Sequence, residues 1–322
     1  MNGDSSQGDL SYDERVYEAF LEAAEAGKLT SLERFLAEWP ETSLELRTRL
    51  ERFARQLPQR PTPDLGPYVG LARLGAGGMG VVWRAREAEG ERVVAVKRLS
   101  AAFASSRAHI ERFRREARVL ASLKHPGIAA VLALRKANDG ALLLVMECIT
   151  GEDLSRRLAR APMEVSEALE VARQIACAMQ IAHANGIIHR DLKPSNVMLE
   201  ASGRVRVLDF GLAKTVAGDT IALTRTGELL GTPGYMSPEQ ATGGAVDERT
   251  DVFALGCLLF EMLAGRPALE PGDRDRVEIG GLPGTTPKPV VALIRSTLEG
   301  EARRRPAHMG EVRAVLEASA DG

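Results

Sequence analysis

The stretch from His189 to Gly211 constrains this chain more than any other. It begins with the sequence HRDLKPSN and ends with DFG. Between these motifs, Val197–Leu199 and Val205–Leu208 are rich in residues that favour strands, and Ser202-Gly203 is typical of a turn. The pattern predicts a β-hairpin, and the two motifs should lie side by side because they flank its two strands.

Four polar side chains near the ends of this hairpin suit metal-held phosphate chemistry. Asp209 and Asn196 offer the hard oxygen ligands that Mg²⁺ prefers. Asp191 can accept a proton from a hydroxyl group, and Lys193 can neutralise charge on a phosphoryl oxygen. The sequence therefore predicts that residues separated along the chain converge on one phosphate-bearing substrate.

This segment resembles the catalytic loop and metal-binding triplet of eukaryotic-like (Hanks-type) bacterial protein kinases, and KPSN is of the serine/threonine type. The resemblance implies an α+β, two-lobed protein kinase fold, with a small β-rich lobe, a mainly helical lobe, and ATP between them. It implies catalytic roles for Asp191 and Lys193. It also implies that Asn196 and Asp209 hold Mg²⁺, for which Mn²⁺ can substitute.

A glycine-rich run contains the spacing GxGxxG. In a dinucleotide-binding fingerprint a helix follows the glycines, whereas here residues 81–84 favour a strand. The glycines are therefore predicted at a hairpin tip, where bare backbone can approach phosphate oxygens closely. By the resemblance, this loop binds the nucleotide and Val82 and Ala95 cover the adenine ring. The loop residues are Leu74, Gly75, Ala76, Gly77, Gly78, Met79 and Gly80.

Lys97 ends the next apolar strand, residues 93–97, where an ammonium is costly to desolvate unless it is paired. A helical pattern over residues 113–120 carries Glu116 at the edge of its apolar face. The resemblance implies that Glu116 pairs with Lys97 and steadies its grip on the α- and β-phosphates. Glu111 is a second helical acid nearby, and the spacing to the following HPGI sequence favours Glu116.

The apolar run at residues 142–148 predicts a buried strand, and the resemblance makes its end the connection between the lobes. It implies that Met146 flanks the back of the nucleotide pocket. Glu147 and Cys148 would meet the adenine edge through backbone groups, and Met198 would form the floor. These placements depend on the resemblance, since methionines are more often core residues than ligand contacts.

Three further placements follow from the resemblance. His189 is expected to be structural and to pack under Phe210, although a histidine in such a loop resembles a general base. Asp251 is expected to brace the backbone of the catalytic loop. The late arginine, Arg305, is expected to pair with Glu239 of the sequence SPE. On sequence grounds alone, these charged contacts could equally be ordinary ion pairs.

Composition shifts divide the chain into four parts. Residues 1–11 are small and polar and predict disorder, and residues 12–57 show helical periodicity. Four prolines make residues 58–67 a stiff linker, and the kinase-like domain spans residues 68–316. Between Gly265 and Arg305 the chain is short and rich in glycine, which predicts that a helix usual in the family is lost or reduced.

The helical segment before the linker has two interpretations. Apolar stripes favour helices that pack on each other or on the kinase domain, and capping-box patterns at Thr30 and Thr42 predict two helix starts. The alternative is a docking or autoregulatory module. The sequence does not separate these two interpretations.

Residues 212–235 are rich in hydroxyl groups and resemble an activation segment. Thr232-Pro233 matches the serine/threonine class. Phosphorylation at Thr224 or Thr226 would order the segment through new arginine–phosphate hydrogen bonds, with Arg190 as a ready cation.

Composition excludes several classes of protein. The formal net charge of −2 shows no basic excess, so no nucleic-acid partner is expected. Three scattered cysteines support neither a disulfide framework nor a zinc site. The acidic, polar N-terminus lacks the features of a signal peptide, and no apolar run is long enough to span a membrane. We therefore expect a cytoplasmic protein.

The expected function is that of an ATP-dependent serine/threonine protein kinase that phosphorylates its own activation segment. Its partners would be ATP and protein substrates, and a dimer would allow autophosphorylation in trans. The alternative is a pseudokinase that binds nucleotide as a signalling scaffold. A small-molecule kinase is disfavoured because Thr232-Pro233 and the SPE sequence build a shelf for a protein substrate.

Overall fold

The computed structural model describes residues 11–25, 32–56, 63–77, 80–100, 107–210, 233–269 and 280–320. The helices in these segments are α1 (Tyr12–Glu25), α2 (Leu32–Glu38), α3 (Leu44–Gln56), α4 (Arg107–Ser122), α5 (Leu154–Leu158), α6 (Val165–Ala184), α7 (Pro238–Thr242), α8 (Arg249–Ala264), α9 (Lys288–Thr297) and α10 (Met309–Ala320). The strands are β1 (Tyr68–Gly77), β2 (Gly80–Glu87), β3 (Val93–Leu99), β4 (Val131–Lys136), β5 (Leu142–Glu147), β6 (Glu152–Asp153), β7 (Val197–Leu199) and β8 (Val205–Val207).

The three N-terminal helices pack on each other around a small core of their own. Phe20 is fully buried there, and its ring meets those of Phe35 and Phe53 edge-on, with centroids 5.4 and 6.0 Å apart. Edge-to-face contacts of this kind add to the free energy of apolar burial. The apolar stripes of these helices therefore face each other, and a docking or autoregulatory role for the segment stays open.

The start of α3 differs from the prediction by one residue. The backbone N–H of Leu46 donates to the hydroxyl of Ser43 at 3.2 Å, which makes Ser43 the capping residue. The hydroxyl of Thr42 instead donates to the carbonyl of Trp39 at 2.6 Å. The capping-box prediction at Thr42 was wrong because two adjacent hydroxyl residues competed for the position. Thr30 lies outside the described residues.

An antiparallel sheet of five strands, in the order β1-β2-β3-β5-β4, forms the small lobe. Its register pairs Val82 with Lys97 and Ala95 with Met146. Directly paired residues share a face, and so do residues two apart on one strand, which places all four side chains on the same face. The opposite face belongs to a separate apolar cluster that includes the fully buried Val94.

The end of the predicted linker packs on this lobe. Leu65 is 3% exposed and belongs to the apolar cluster on the outer face of the sheet. The carboxylate of Asp64 accepts the backbone N–H of Asp139 at 3.0 Å, and Arg98 donates to the carbonyl of Asp64 at 2.8 Å. The packed unit of the small lobe therefore extends a few residues before Tyr68.

The large lobe is built around α8, whose residues 252–260 are all apolar and buried. A helix of this kind must lie inside a lobe, and α6 and α9 pack against it. It ends at Gly265, whose φ is 68° and where a Cβ atom would lie 2.6 Å from Pro162. Between α8 and α9, residues 265–269 and 280–287 contain no helix.

None of the helices in the described segments combines the length and apolar character needed to cross a membrane.

The expected pair between Glu239 and Arg305 is confirmed. Arg305 is 4% exposed, and its two terminal nitrogens each donate to one carboxylate oxygen of Glu239 at 2.8 Å. Burial alone would raise the pKa of Glu239, but hydrogen bonds from Arg305 and Thr250 outweigh it and lower the pKa to about 2. The pair ties the end of the activation segment to the large lobe.

This pair should make the stability of the protein depend on acid pH. The folded protein keeps Glu239 ionised, whereas the unfolded chain protonates it near its ordinary pKa of 4.5. The contribution is therefore complete above that pKa and is lost as the pH falls towards 2. Between about pH 5 and pH 3, urea unfolding should show a steeper loss for the wild type than for Glu239→Gln. Parallel pH profiles would contradict this account.

Candidate active site

The predicted hairpin that organises the site is confirmed. Strands β7 and β8 are antiparallel, with Met198 opposite Arg206. The N–H of Leu208 donates to the carbonyl of Asn196 at 2.8 Å, just before β7 begins and just after β8 ends. This bond places Asn196 next to the segment that carries Asp209, as the sequence pattern predicts.

The catalytic loop brings three of the predicted residues together. The Nζ atom of Lys193 lies 3.0 Å from a carboxylate oxygen of Asp191. The side-chain amide nitrogen of Asn196 donates to the carbonyl of Asp191 at 2.7 Å, and Asn196 is 7% exposed. Because the nitrogen makes this bond, the amide oxygen of Asn196 is the atom left to ligate a cation.

Lys97 joins the small lobe to the DFG segment. Its Nζ atom lies 2.7 and 2.6 Å from the two carboxylate oxygens of Asp209, and the residue is 8% exposed. A buried ammonium needs such a partner to offset its desolvation. Within the described residues Lys97 pairs with Asp209 and not with Glu116, so the expected pairing is not formed in this structure.

The difference has a physical reason. Glu116 is half-buried on α4 and has interactions of its own, while Asp209 presents both oxygens to Lys97 at once. Sequence spacing identifies the acids that can approach Lys97, but the placement of α4 decides which of them pairs with it. The catalytic role of Glu116 stays a prediction.

Two residues of the site adopt backbone conformations that are unusual for non-glycine residues. Arg190 has a φ of 62° and Asp209 a φ of 51°, both in the left-handed region, which costs on the order of 1–3 kcal/mol each. Asp251, which is fully buried, accepts the N–H of His189 at 2.7 Å and that of Arg190 at 2.9 Å. The expected brace on the catalytic loop is confirmed, and it holds the strained turn before Asp191.

His183 was missed by the sequence analysis. This residue lies in the last turn of α6, and its Nε2 atom is 2.8 Å from a carboxylate oxygen of Asp251. It therefore supports the carboxylate that braces the loop. The available signal was a histidine at the end of an amphipathic helix, which by itself does not reveal a partner in α8.

His189 is a structural residue, as expected. Its Nε2 atom donates to the carbonyl of Leu208 at 2.9 Å, and its Nδ1 atom accepts the N–H of Asp191 at 3.2 Å. The ring is fully buried, and its centroid lies 4.7 Å from that of Phe210. Since both ring nitrogens are engaged, neither is available to act as a general base.

The glycine-rich loop has space beside two of its glycines. A Cβ atom added at Gly75 or Gly77 would meet no atom of the described residues within 4 Å, apart from its chain neighbours. The predicted close approach of phosphate oxygens to this loop stays a prediction. Leu74 is 52% exposed beside the loop, and Gly78 and Met79 lie outside the described residues. Ala76 is exposed in β1 between the two glycines.

The connection between the lobes is held by its first residue. The N–H of Glu147 donates to the carbonyl of Ala130 at 2.9 Å, which fixes the backbone where the connection begins. The adenine contacts expected of Glu147 and Cys148 stay predictions. The side chain of Glu147 contacts Arg206, the cross-strand partner of Met198. This ion pair therefore links Glu147, at the predicted edge of the adenine site, to the hairpin that carries Met198, its predicted floor.

A cavity of about 360 Å³ borders the catalytic loop on the other side. Its lining includes Ser155, Leu158, Lys193, Pro194, Tyr235 and Glu261. The hydroxyl of Tyr235 donates to the carboxylate of Glu261, and burial raises the pKa of both groups. Because Lys193 also contacts Asp191, this cavity opens next to the predicted catalytic carboxylate.

These residues fit Mg²⁺ and ATP. Asn196 and Asp209 supply an amide and a carboxylate oxygen, the donors that Mg²⁺ prefers. Lys97 supplies a cation for the phosphates, and it shares one face of the sheet with Val82, Ala95 and Met146. The arrangement provides an apolar surface for a base and polar groups for a metal-bound triphosphate.

The match to a protein family agrees with this geometry. The family model for the protein kinase domain matches residues 68–305, which is most of the chain. The chain therefore belongs to the protein kinase family.

Several curated relatives are bacterial serine/threonine-protein kinases. The chain is 41% identical over 220 residues to Pkn3 of Myxococcus xanthus, which aligns 63% of this chain with 40% of the relative. It is 43% identical over 198 residues to PknB of Mycobacterium leprae, covering 60% and 32% of the two chains. For PrkC of Bacillus subtilis the identity is 41% over 202 residues, covering 62% and 31%. The chain thus aligns with less than half the length of each of these relatives.

A solved structure shares the fold. The kinase domain of Mycobacterium tuberculosis PknI superposes with a TM-score of 0.64 at 26% identity, covering 79% of this chain and 96% of the other. The expected two-lobed kinase fold is confirmed.

Two glycines of the loop should respond differently to alanine. At Gly80 the φ is 146° and a Cβ atom would lie 2.0 Å from the carbonyl oxygen of Arg98, so Gly80→Ala should lower the free energy of unfolding by more than about 1 kcal/mol. Gly75→Ala should leave stability unchanged and weaken ATP binding about tenfold. Thermal unfolding and nucleotide titration test both changes. Unaltered ATP affinity in Gly75→Ala would contradict the placement of this loop over the nucleotide.

Proposed function

We propose that this chain is an ATP-dependent serine/threonine protein kinase, which transfers the γ-phosphoryl group of Mg-ATP to protein hydroxyl groups. The observation that carries the proposal is the contact between Lys97 and Asp209, with Asn196 and Asp191 in the adjoining loop. It gathers a cation, a metal-ligating carboxylate, an amide and a potential base where the two lobes meet. The relatives that are named serine/threonine-protein kinases support the same class of substrate.

Asp191 is proposed to orient the substrate hydroxyl and to accept its proton as the new O–P bond forms. The bond between the γ-phosphorus and the oxygen that bridges it to the β-phosphate breaks in the same transfer, and ADP leaves. Lys193 is proposed to neutralise charge on the transferred group, and its contact with this carboxylate at 3.0 Å supports that role. The brace from Asp251 holds the backbone of the loop and so maintains the position of Asp191. Much of the catalytic effect would come from positioning and charge neutralisation.

Asn196 and Asp209 are proposed to hold the metal, and Lys97 to hold the α- and β-phosphates. Mg-ATP supplies the transferable phosphoryl group and the divalent charge that offsets its oxygens. Lys97 would then exchange part of its contact with Asp209 for contact with phosphate. Glu116 is proposed to form its expected ion pair with Lys97 when α4 lies closer to β3.

The pseudokinase alternative has less support. A scaffold of that kind has usually lost the lysine or a carboxylate, whereas Lys97, Asp191 and Asp209 are all present and lie in the arrangement described above. Retention of the complete set of catalytic residue types favours transfer over nucleotide binding alone.

Autophosphorylation of the activation segment is part of the proposal. The threonines concerned, Thr224 and Thr226, lie outside the described residues, as does Thr232. A cytoplasmic location and a dimer for phosphorylation in trans stay predictions. The protein substrates would present serine or threonine next to the cavity that borders Lys193.

Asp209→Asn should lower phosphate incorporation by about a hundredfold or more, because it removes the metal-binding charge. The full chain would be incubated with Mg-ATP and a general substrate protein, and phosphate would be located by mass spectrometry. Asp247→Asn is the matched control, since that aspartate is exposed, pairs with Arg249 and is not a predicted site residue. Full activity in Asp209→Asn, or no transfer by the wild type, would contradict the proposed function.

A further inference from the structure

Arg206 is a buried cation on the hairpin behind the adenine site. It is 6% exposed, and its guanidinium donates to the carboxylates of Glu147 and Glu200 and to the carbonyl of Ile128. The distances to Glu200 and Ile128 are both 3.1 Å. Glu200 belongs to the same hairpin, whereas Ile128 and Glu147 are far from Arg206 in sequence, so this arginine ties the hairpin to the segments around β4 and β5.

The register of the hairpin directs Arg206 towards the nucleotide site. Val205 and Val207 are 2% and 1% exposed and belong to the core of the large lobe. Because side chains alternate along a strand, Arg206 lies on the other face. It shares that face with Met198, its direct partner across the hairpin and the predicted floor of the adenine site.

Glu147 links this arginine to both strands at the back of the small lobe. One of its carboxylate oxygens accepts Arg206 and also the N–H of Ala130 at 3.3 Å. The backbone of β8 makes a second attachment, since the N–H of Ala129 donates to the carbonyl of Val207 at 3.0 Å. The start of β4 and the end of β5 are therefore both anchored to β8.

We propose that Arg206 is a positioning residue for nucleotide recognition, which sets the distance between the backbone of Glu147 and Cys148 and the side chain of Met198. The inference rests on the proposed function, since it assumes that adenine lies between these groups. A guanidinium suits the role because its planar fork reaches several acceptors, whereas an ammonium is a single point. The hydrogen bonds of Arg206 within the described chain go to Glu147, Glu200 and Ile128, none of which is a predicted phosphate-binding or catalytic residue.

This role predicts an effect on nucleotide binding rather than on transfer. Without the guanidinium, Glu147 keeps a half-buried carboxylate with no cation, and the connection it begins can shift relative to Met198. The distance between the backbone of Glu147 and Cys148 and the side chain of Met198 would then no longer match the adenine ring. The affinity for ATP and the preference for ATP over GTP should fall together, while bound substrate reacts at a nearly normal rate.

The test compares Arg206→Gln with Arg204→Gln, a control on the same hairpin whose side chain is exposed. Arg206→Gln should raise the KM for ATP about tenfold, leave kcat within about twofold, and reduce the ATP-over-GTP preference. Arg204→Gln should match the wild type. Arg206→Lys, which keeps the charge without the fork, should show an intermediate KM for ATP.

A purely structural role would lower thermal stability and the active fraction but would not change KM for ATP or base preference, and that result would overturn the proposal. If Arg206→Gln does not fold, Glu147→Gln provides the same comparison from the other side of the pair. Direct titration with Mg-ATP, with Asp191→Asn added to prevent transfer, measures nucleotide affinity alone. It therefore tests the positioning role of Arg206 separately from the proposed kinase function. Normal nucleotide affinity in the Arg206 variant overturns the positioning role, whereas binding without transfer in the wild type overturns the proposed function alone.

Discussion

The arrangement of the site depends on the ion pair between Lys97 and Asp209. A buried ammonium within an apolar strand needs a negative partner, and Asp209 supplies both of its oxygens. The pair joins the central strand of the small lobe to the segment that follows β8 in the large lobe. The two lobes therefore meet at this pair of charges.

A buried carboxylate makes this meeting point possible. Asp251 projects from the central helix of the large lobe and binds the backbone of His189 and Arg190, where the chain passes through a left-handed conformation. Its remaining contact, from His183, comes from another helix of the same core. The strain in the loop is thus balanced by hydrogen bonds from the most deeply buried part of the fold, and this keeps Asp191 in place.

Several features could be predicted because they depend on local pattern. The hairpin after Asn196 follows from β-rich runs around a turn, and it brings Asn196 near Asp209 without further information. Other features could not be predicted. The partner of Lys97 depends on where α4 lies. The residue that caps α3 depends on which of the adjacent hydroxyls, Thr42 or Ser43, reaches the first free N–H groups of the helix. In both cases two groups of similar chemistry could form the contact, and only their positions in the folded chain decide which of them does.

The sequence by itself determined the protein family, the two-lobed architecture and the chemical types at the site, because these depend on motifs with fixed spacing and on short-range periodicity. Only the tertiary structure decided which charges touch. Arg206 shows the reason: besides Glu200 of its own hairpin it binds Ile128 and Glu147, and no local pattern in the chain connects these two residues to the hairpin. Long-range contacts between side chains depend on how the lobes pack, which spacing along the chain does not specify.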